Sequence, residues 1–108
     1  MTAKMAVVAH GGAGSGPARQ TNLQVAVDVA SKLLLSGASA VEAAVEACVI
    51  LEDDPVFNAG TGGVFRIDGS VLLDASIQTS DGRLGFVIAM KETPNPIRVA
   101  ADLLDHNI

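Results

Sequence analysis

The segment at residues 51–63, LEDDPVFNAGTGG, most strongly limits the folds that this chain can adopt. An apolar run with helical spacing ends here in three acids and a proline, and the sequence Asn-Ala-Gly-Thr-Gly-Gly follows. One glycine is enough to end a helix. The segment therefore holds more helix-ending residues than a helix end needs, and it separates predicted helices from predicted strands.

Two helices are predicted before this segment. Apolar residues recur along one helix face over about residues 21–35, and a Ser-Gly pair is expected to end that helix. Ser39 is expected to cap a second helix over residues 40–53, because Glu42 completes a capping box three residues later. Ahead of both, the short apolar run at residues 4–10 predicts a buried strand.

Short strands are predicted after the segment. Residues 63–67 and 70–76 are expected to form a hairpin, because the Asp-Gly pair between them supports the positive φ of a tight turn. A second Asp-Gly pair at residues 81–82 is expected to turn the chain into a strand at residues 84–90.

One more helix is predicted near the end of the sequence, with Asn95 as its cap and Pro96 at its first position. This order of elements favours one α+β domain spanning residues 1–108. The strands carry apolar residues of both parities, which indicates a sheet buried on both faces and hence a partner chain: Leu72, Leu73, Ile77, Phe86 and Ile88.

Composition limits the function. Hydrophobic residues make up 49% of the 108 residues but aromatic residues only 3%, so the core must be built from small aliphatic side chains. The formal net charge of -5, without any basic cluster, disfavours nucleic acid as a partner. No apolar run is long enough for a membrane span, and the N-terminus lacks the features of a signal peptide, so a cytoplasmic protein is expected.

The one cysteine, Cys48, lies in a helical apolar run and is interpreted as a buried, unreactive thiol.

The glycine-rich stretch HGGAGSG at residues 10–16 is the first candidate for chemistry. Its glycines allow exposed backbone amides to bind an anion or an oxyanion, although an ordinary turn is as plausible from this stretch alone. The spacing matches neither a P-loop nor a dinucleotide-binding loop. His10 is interpreted as a hydrogen-bonded structural histidine.

The acids Glu52, Asp53 and Asp54 are the second candidate. They are consecutive, so their side chains diverge, and they do not match the alternating ligands of an EF-hand. A solvated helix end is favoured over a cation site, although backbone carbonyls of a tight loop could coordinate a hard cation. A Ser-His-Asp triad has no matching motif, and Thr2, a conceivable N-terminal nucleophile, opens a polar tail.

Four motifs in order, HGGAG, LEDDPVFNAGTGGVF, LLDASI and NPIRVA, resemble the plant-type L-asparaginase and isoaspartyl peptidase family over about residues 6–105. The resemblance implies an αββα sandwich of the N-terminal-nucleophile hydrolase type, of which this chain forms about half. Residues 1–108 would then be the α-subunit portion of a single domain that a β chain completes.

The same resemblance implies a site. Asn58 would orient the nucleophile, Gly11 and Gly12 would form a glycine loop near the self-cleavage point, and Asp74 and Ser76 are interpreted as structural. Main-chain carbonyls would bind a structural sodium ion, and no organic cofactor is implied. The implied sodium ligands are Leu51, Glu52, Asp54, Phe57, Ala59 and Thr61.

The implied activity is hydrolysis of L-asparagine and β-aspartyl (isoaspartyl) peptides by a threonine at the N-terminus of a separate β chain. The threonines of this chain lie in other contexts, so the chain alone is expected to be inactive. A dimer of αβ heterodimers is the implied assembly. Two alternatives remain open: a truncated, inactive structural or interaction module of the same fold, and a naturally short enzyme that uses His10.

Overall fold

The computed structural model describes residues 4–14 and 16–106, so the hypothesis about Thr2 lies outside the described residues. Its regular elements are α1 (Gln20–Leu35), α2 (Ala40–Asp53), β1 (Leu73–Gln78), β2 (Leu84–Met90) and α3 (Pro96–Asp102). Short 3-10 turns lie at Pro17–Arg19, Gly60–Gly62 and Leu103–Asp105. Helices α1 and α2 pack on each other, and α3 packs on the antiparallel pair β1–β2.

The two long helices meet through alanine. The buried residues of their interface are Ala26, Ala30, Ala43 and Ala47. Methyl side chains let two helix backbones approach closely, whereas larger residues would keep them apart. The prediction of a core built from small aliphatic residues is confirmed here.

The predicted ends of α1 and α2 are confirmed. The Ser39 side chain accepts a hydrogen bond from the Glu42 N–H at 3.1 Å, and the Glu42 carboxylate accepts one from the Ser39 N–H at 3.1 Å. Both bonds satisfy N–H groups that the first turn of a helix leaves without a partner. Gly37, with φ of 96°, adopts the left-handed conformation that ends α1.

Two strand predictions are wrong. Residues 4–10 and 63–67 form no strand in the described part of the chain. A strand exists only as part of a hydrogen-bonded ladder, and the ladder among the described residues contains only β1 and β2. The Asp-Gly turn before β1 does form, because the Gly69 N–H donates to the Arg66 carbonyl at 2.9 Å.

The paired hairpin is β1–β2. The turn at Asp81 and Gly82 joins the strands as predicted, and the Thr79 N–H donates to the Arg83 carbonyl at 3.0 Å. The register shifts between Leu73 and Ala75, where the Asp74 carboxylate accepts a hydrogen bond from the Ala89 N–H at 2.8 Å. Asp74 thus has a structural contact at a β-bulge.

A second core covers one face of this hairpin. Helix α3 lies against the sheet so closely that a Cβ at Gly85 would overlap the Ala100 carbonyl oxygen. The buried side chains of this core come from α2, β1, α3 and the turn after α3: Val45, Val49, Ile77, Ile97, Ala100 and Leu104. The mixed helices and antiparallel strands confirm the α+β prediction.

The other face of the hairpin is open. Leu84, Phe86 and Ile88 alternate along β2 and are 56%, 56% and 69% exposed. The residues opposite Leu84 and Phe86 on β1 are polar, Gln78 and Ser76. The sandwich prediction needs a second layer on this face, and the part of the chain described by the structure supplies none. Among the same residues, no helix is both long and apolar enough to cross a membrane.

Candidate functional site

A cleft of about 510 Å³ lies between the glycine turn that precedes α1 and the loop that follows α2. The glycine turn contributes residues 10–14, and Arg19 lies beside it. The loop contributes Leu51 and residues 57–59. The structure thus brings together Gly11, Gly12 and Asn58, which the family resemblance implied, with three of the six implied sodium ligands.

The glycine turn is held by its own histidine. His10 Nδ1 accepts a hydrogen bond from the Gly12 N–H at 2.9 Å, which confirms the interpretation of His10 as a hydrogen-bonded residue. Gly12 has φ of 99° and Gly14 has φ of 83°. These are conformations that side chains with a Cβ rarely adopt, so the turn depends on glycine at both positions.

The loop after α2, residues 54–63, is fixed at its start by Asp54. One carboxylate oxygen accepts a hydrogen bond from the Val56 N–H at 3.1 Å, and the other accepts one from Asn22 Nδ2 at 2.9 Å. Asn22 lies on α1, so this bond ties the loop to the helical layer. The role of Asn22 was not predicted, because a polar residue on a helix gives no local sign of a partner 32 residues away.

Glu52 is a buried anchor, 6% exposed, and not the solvated acid that the sequence favoured. One carboxylate oxygen accepts a hydrogen bond from the Ile97 N–H at 3.1 Å, and the other accepts one from Asn95 Nδ2 at 3.2 Å. Asn95 precedes α3 but its side chain does not cap that helix. Asn95 thus holds the predicted N-cap position, but the acceptor for the N–H of the first turn is the Glu52 carboxylate and not the Asn95 side chain.

Burial raises the pKa of Glu52 above its ordinary value, and the neighbouring charge of Asp53 acts in the same direction. The hydrogen bonds from Asn95 and Ile97 oppose that rise because they stabilise the carboxylate. Burial also raises the pKa of the half-buried Cys48 thiol, and the Glu52 charge adds to the effect. A thiol that resists deprotonation is a poor nucleophile, which agrees with the interpretation of Cys48 as unreactive.

Backbone carbonyl groups crowd around the glycines of the loop. A Cβ at Gly62 would overlap the Phe57 carbonyl oxygen, and a Cβ at Gly60 would overlap that of Glu52. The carbonyls of Asp54 and Ala59 each accept one hydrogen bond within the loop, from the N–H groups of Phe57 and Gly62. A carbonyl oxygen has two lone pairs, so each keeps a free acceptor position.

These carbonyl groups fit a hard cation better than the side chains do. Hard cations in proteins prefer oxygen ligands, including backbone carbonyls. In the described residues, no group of three or more His, Cys, Asp or Glu side chains is placed to hold a metal ion. A cation site here would therefore use the main chain. Thr61 is the one exposed residue among the implied ligands, and it lines a separate cavity.

Asn58 lies at the edge of the cleft with an exposed side chain. Its Oδ1 accepts a hydrogen bond from the Val64 N–H at 3.1 Å. This bond fixes the orientation of the amide group, because it holds Oδ1 against the Val64 N–H. Nδ2 is a donor, so the arrangement suits a hydrogen bond to a group in the cleft.

Sequence reasoning missed Arg19 as a residue of the cleft. It follows the glycine turn at the end of the Pro17–Arg19 turn, nine residues after His10. The only local signal was its closeness to the glycine-rich stretch.

Comparisons with known proteins identify relatives across nearly the whole chain. A family model described as asparaginase matches residues 3–108. The chain is 43% identical over 103 residues to an isoaspartyl peptidase/L-asparaginase of Nostoc sp., covering 87% of this chain and 32% of that protein. It is 43% identical over 102 residues to one of Macaca fascicularis, covering 87% of this chain and 33% of that protein.

A third relative also covers nearly all of this chain but is itself covered only in part. The chain is 39% identical over 108 residues to a plant-type L-asparaginase of Pyrococcus horikoshii, covering 94% of this chain and 35% of that protein. The chain therefore spans about a third of the length of the curated relatives that it matches.

The contacts of Glu52 generate a prediction about stability. Both of its partners are donors, whereas glutamine offers one acceptor oxygen and an NH₂ group, so Glu52→Gln leaves one buried donor facing another. We expect the free energy of unfolding of the complete protein to fall by about 1–3 kcal/mol, measured by urea denaturation. Glu46→Gln on the same helix is the control. It loses only an exposed ion pair with Arg98, so a loss below about 1 kcal/mol is expected.

The raised pKa of Glu52 also makes the stability of the folded protein depend on pH. The folded protein binds the Glu52 proton more tightly than the unfolded chain does. The contribution of Glu52 to the free energy of unfolding is therefore full below its ordinary pKa of 4.5, and it falls as pH rises through the raised pKa of the folded state. Glu52→Gln should lack that component. Equal losses of stability in the two variants, with unchanged pH profiles, would contradict the anchoring role.

Proposed function

Since this chain belongs to the asparaginase family, we propose that it is the N-terminal part of an amidohydrolase that cleaves L-asparagine and β-aspartyl (isoaspartyl) peptides. The observation that carries the proposal is the cleft in which the glycine turn faces Asn58. The names of the relatives, isoaspartyl peptidase/L-asparaginase and plant-type L-asparaginase, support the substrate class.

The proposed nucleophile is a threonine at the N-terminus of a β chain that self-cleavage releases from the same precursor. Its α-amine takes the hydroxyl proton as Oγ attacks the side-chain carbonyl carbon of the substrate. Backbone N–H groups stabilise the oxyanion. The C–N bond then breaks as the protonated α-amine passes its proton to the leaving nitrogen, which departs as ammonia or as the free amine of the released amino acid or peptide. Water cleaves the resulting ester and releases aspartate or the corresponding aspartyl product.

This chain supplies Asn58 and the glycine turn to that reaction. In the proposed reaction Asn58 donates from Nδ2 to the threonine hydroxyl and orients it toward the substrate, and the bond from the Val64 N–H to Oδ1 supports this because it holds the amide group in place. Gly11 and Gly12 line the same cleft and allow a close approach of backbone to the reacting group. Orientation of a nucleophile matters because small displacements sharply reduce the rate of an otherwise competent site.

The open face of β1–β2 is the proposed contact with the β chain. Leu84, Phe86 and Ile88 form an exposed apolar row of the kind that a second sheet covers in a layered sandwich. The relatives are about three times as long as this chain, which supports a precursor whose remaining part supplies the second layer. The proposed mature assembly is a dimer of αβ heterodimers.

A sodium ion is the proposed occupant of the carbonyl groups at residues 51–61. The tight approach of Glu52 and Phe57 carbonyls to the loop glycines supports it. The ion would bind through Leu51, Glu52, Asp54, Phe57, Ala59 and Thr61 and would stiffen the loop that carries Asn58. It is structural and takes no part in the bond-breaking steps.

The first test uses the complete protein. Purified protein is expected to release ammonia and aspartate from L-asparagine, and intact mass measurement of the denatured sample is expected to show two polypeptides. N-terminal sequencing of the second should begin with threonine. A single polypeptide without hydrolytic activity would overturn the proposal and favour the inactive interaction module, for which the same exposed row on β2 is the binding surface.

A pair of substitutions tests the role of Asn58. Asn58→Asp keeps an oxygen for the Val64 N–H but replaces the donor Nδ2, whereas Asn58→Ala removes both. We expect kcat to fall by at least about tenfold in both variants, because an orienting donor is lost. Full activity of Asn58→Asp, with the loss confined to Asn58→Ala, would show that Asn58 only supports the loop.

Exchange of cations tests the sodium site. In the complete protein, the thermal midpoint is expected to be higher in sodium chloride than in choline chloride at equal ionic strength, and to rise with the logarithm of sodium concentration. Lithium and potassium chloride serve as size controls. The same midpoint in all four salts would remove sodium from the proposal without affecting the assignment of Asn58.

A further inference from the structure

His10 is the one titratable side chain of the cleft, besides Arg19, among the residues that the structure describes, and the proposed reaction does not use it. Its ring nitrogen Nδ1 accepts from the Gly12 N–H at 2.9 Å, two residues along the chain. The side chain is exposed, so this bond is not needed to satisfy a buried polar group. Its effect must instead be on the backbone to which it binds.

The bond fixes one peptide plane. The Gly12 N–H and the Gly11 carbonyl belong to the same trans peptide, so they point in opposite directions. Holding the N–H against the imidazole therefore fixes the direction of the Gly11 carbonyl. Gly12 with φ of 99° is free of the Cβ clash that would oppose this orientation, and equally free to leave it. Glycine on both sides of this peptide makes its two orientations accessible, so a contact that selects one of them matters here.

We propose that His10 is a positioning residue that holds the Gly11–Gly12 peptide in a single orientation through Nδ1. The inference rests on the proposed function, because the oriented peptide lines the cleft in which that reaction would take place. His10 itself touches neither the nucleophile nor the substrate in this role. Nδ1 acts only as an acceptor, and Nε2 is not required.

Substitution of His10 by asparagine or by glutamine distinguishes the roles of its two ring nitrogens. Asparagine carries its oxygen on Cγ, where histidine carries Nδ1, so His10→Asn retains an acceptor for the Gly12 N–H. Glutamine carries its amide one carbon farther out, near the position of Nε2, so His10→Gln loses that acceptor. His10→Asp is a second variant with an acceptor in the required place. Because His10 is exposed, all three variants are expected to fold, which circular dichroism checks.

The test measures steady-state hydrolysis of L-asparagine by the complete protein, corrected for the fraction that carries the free threonine. His10→Asn and His10→Asp are expected to keep kcat within about threefold of the wild type. His10→Gln is expected to lose about 10- to 100-fold in kcat with little change in KM, the size of effect that a misplaced site group produces. In parallel, the exchange of the Gly12 amide proton with water, followed by NMR, should accelerate in His10→Gln alone.

Each of the other possible results contradicts a specific part of the proposal. Equal kcat and equal Gly12 exchange in the asparagine and glutamine variants would overturn the role of His10 while leaving the proposed function intact. Retention of activity by His10→Gln and its loss in His10→Asn would assign the role to Nε2 and overturn the proposal. A wild-type protein without hydrolytic activity would overturn the proposed function, and the positioning role with it.

Discussion

A buried carboxylate joins the two halves of this molecule. Glu52 lies in the last turn of α2 and binds both Asn95 and the first turn of α3, more than 40 residues later in the chain. Helix α3 in turn packs on β1 and β2, so this side chain adds a buried polar link between the helical pair and the sheet, beside the apolar contacts of Val45 and Val49. Removing a charge from water is costly unless donors replace the lost hydration, and here two donors converge on the carboxylate.

The loop of the candidate site begins at this anchor. Asp54, two residues after Glu52, binds the first turn of the loop and, through Asn22, the helix α1. The position of Asn58 at the cleft therefore follows from contacts of its loop and the preceding helix end to α1 and α3, and not from the loop sequence alone. This arrangement explains why so short a segment carries acids, a proline and glycines together.

Local sequence signals predicted the parts of the fold that local contacts determine. The capping box of Ser39 and Glu42, the glycine that ends α1 and the Asp-Gly turn before β2 all involve residues within a few positions of each other. The strands at 4–10 and 63–67 failed because a strand needs a partner that its own sequence does not specify. Glu52 was misjudged for a similar reason, since its donors lie far away in sequence. In the site, the motifs pointed to Gly11, Gly12 and Asn58, which share one cleft, whereas Arg19 belongs to no motif and only the folded chain places it there.

The alanine contacts between α1 and α2 have a further consequence for how this layer evolves. Four methyl groups bury little apolar surface themselves, so they contribute mainly a short and well-defined spacing. Larger partly buried side chains packed around them add apolar contacts: Leu33, Leu34, Ile50 and Leu51. Substitution by anything larger would widen the gap, and substitution by glycine would loosen both helices. Few residue types are thus tolerated at these four positions, although the alanine side chains themselves bury little apolar surface. Natural variation in this layer should accordingly concentrate on the outer helix faces and spare these four positions.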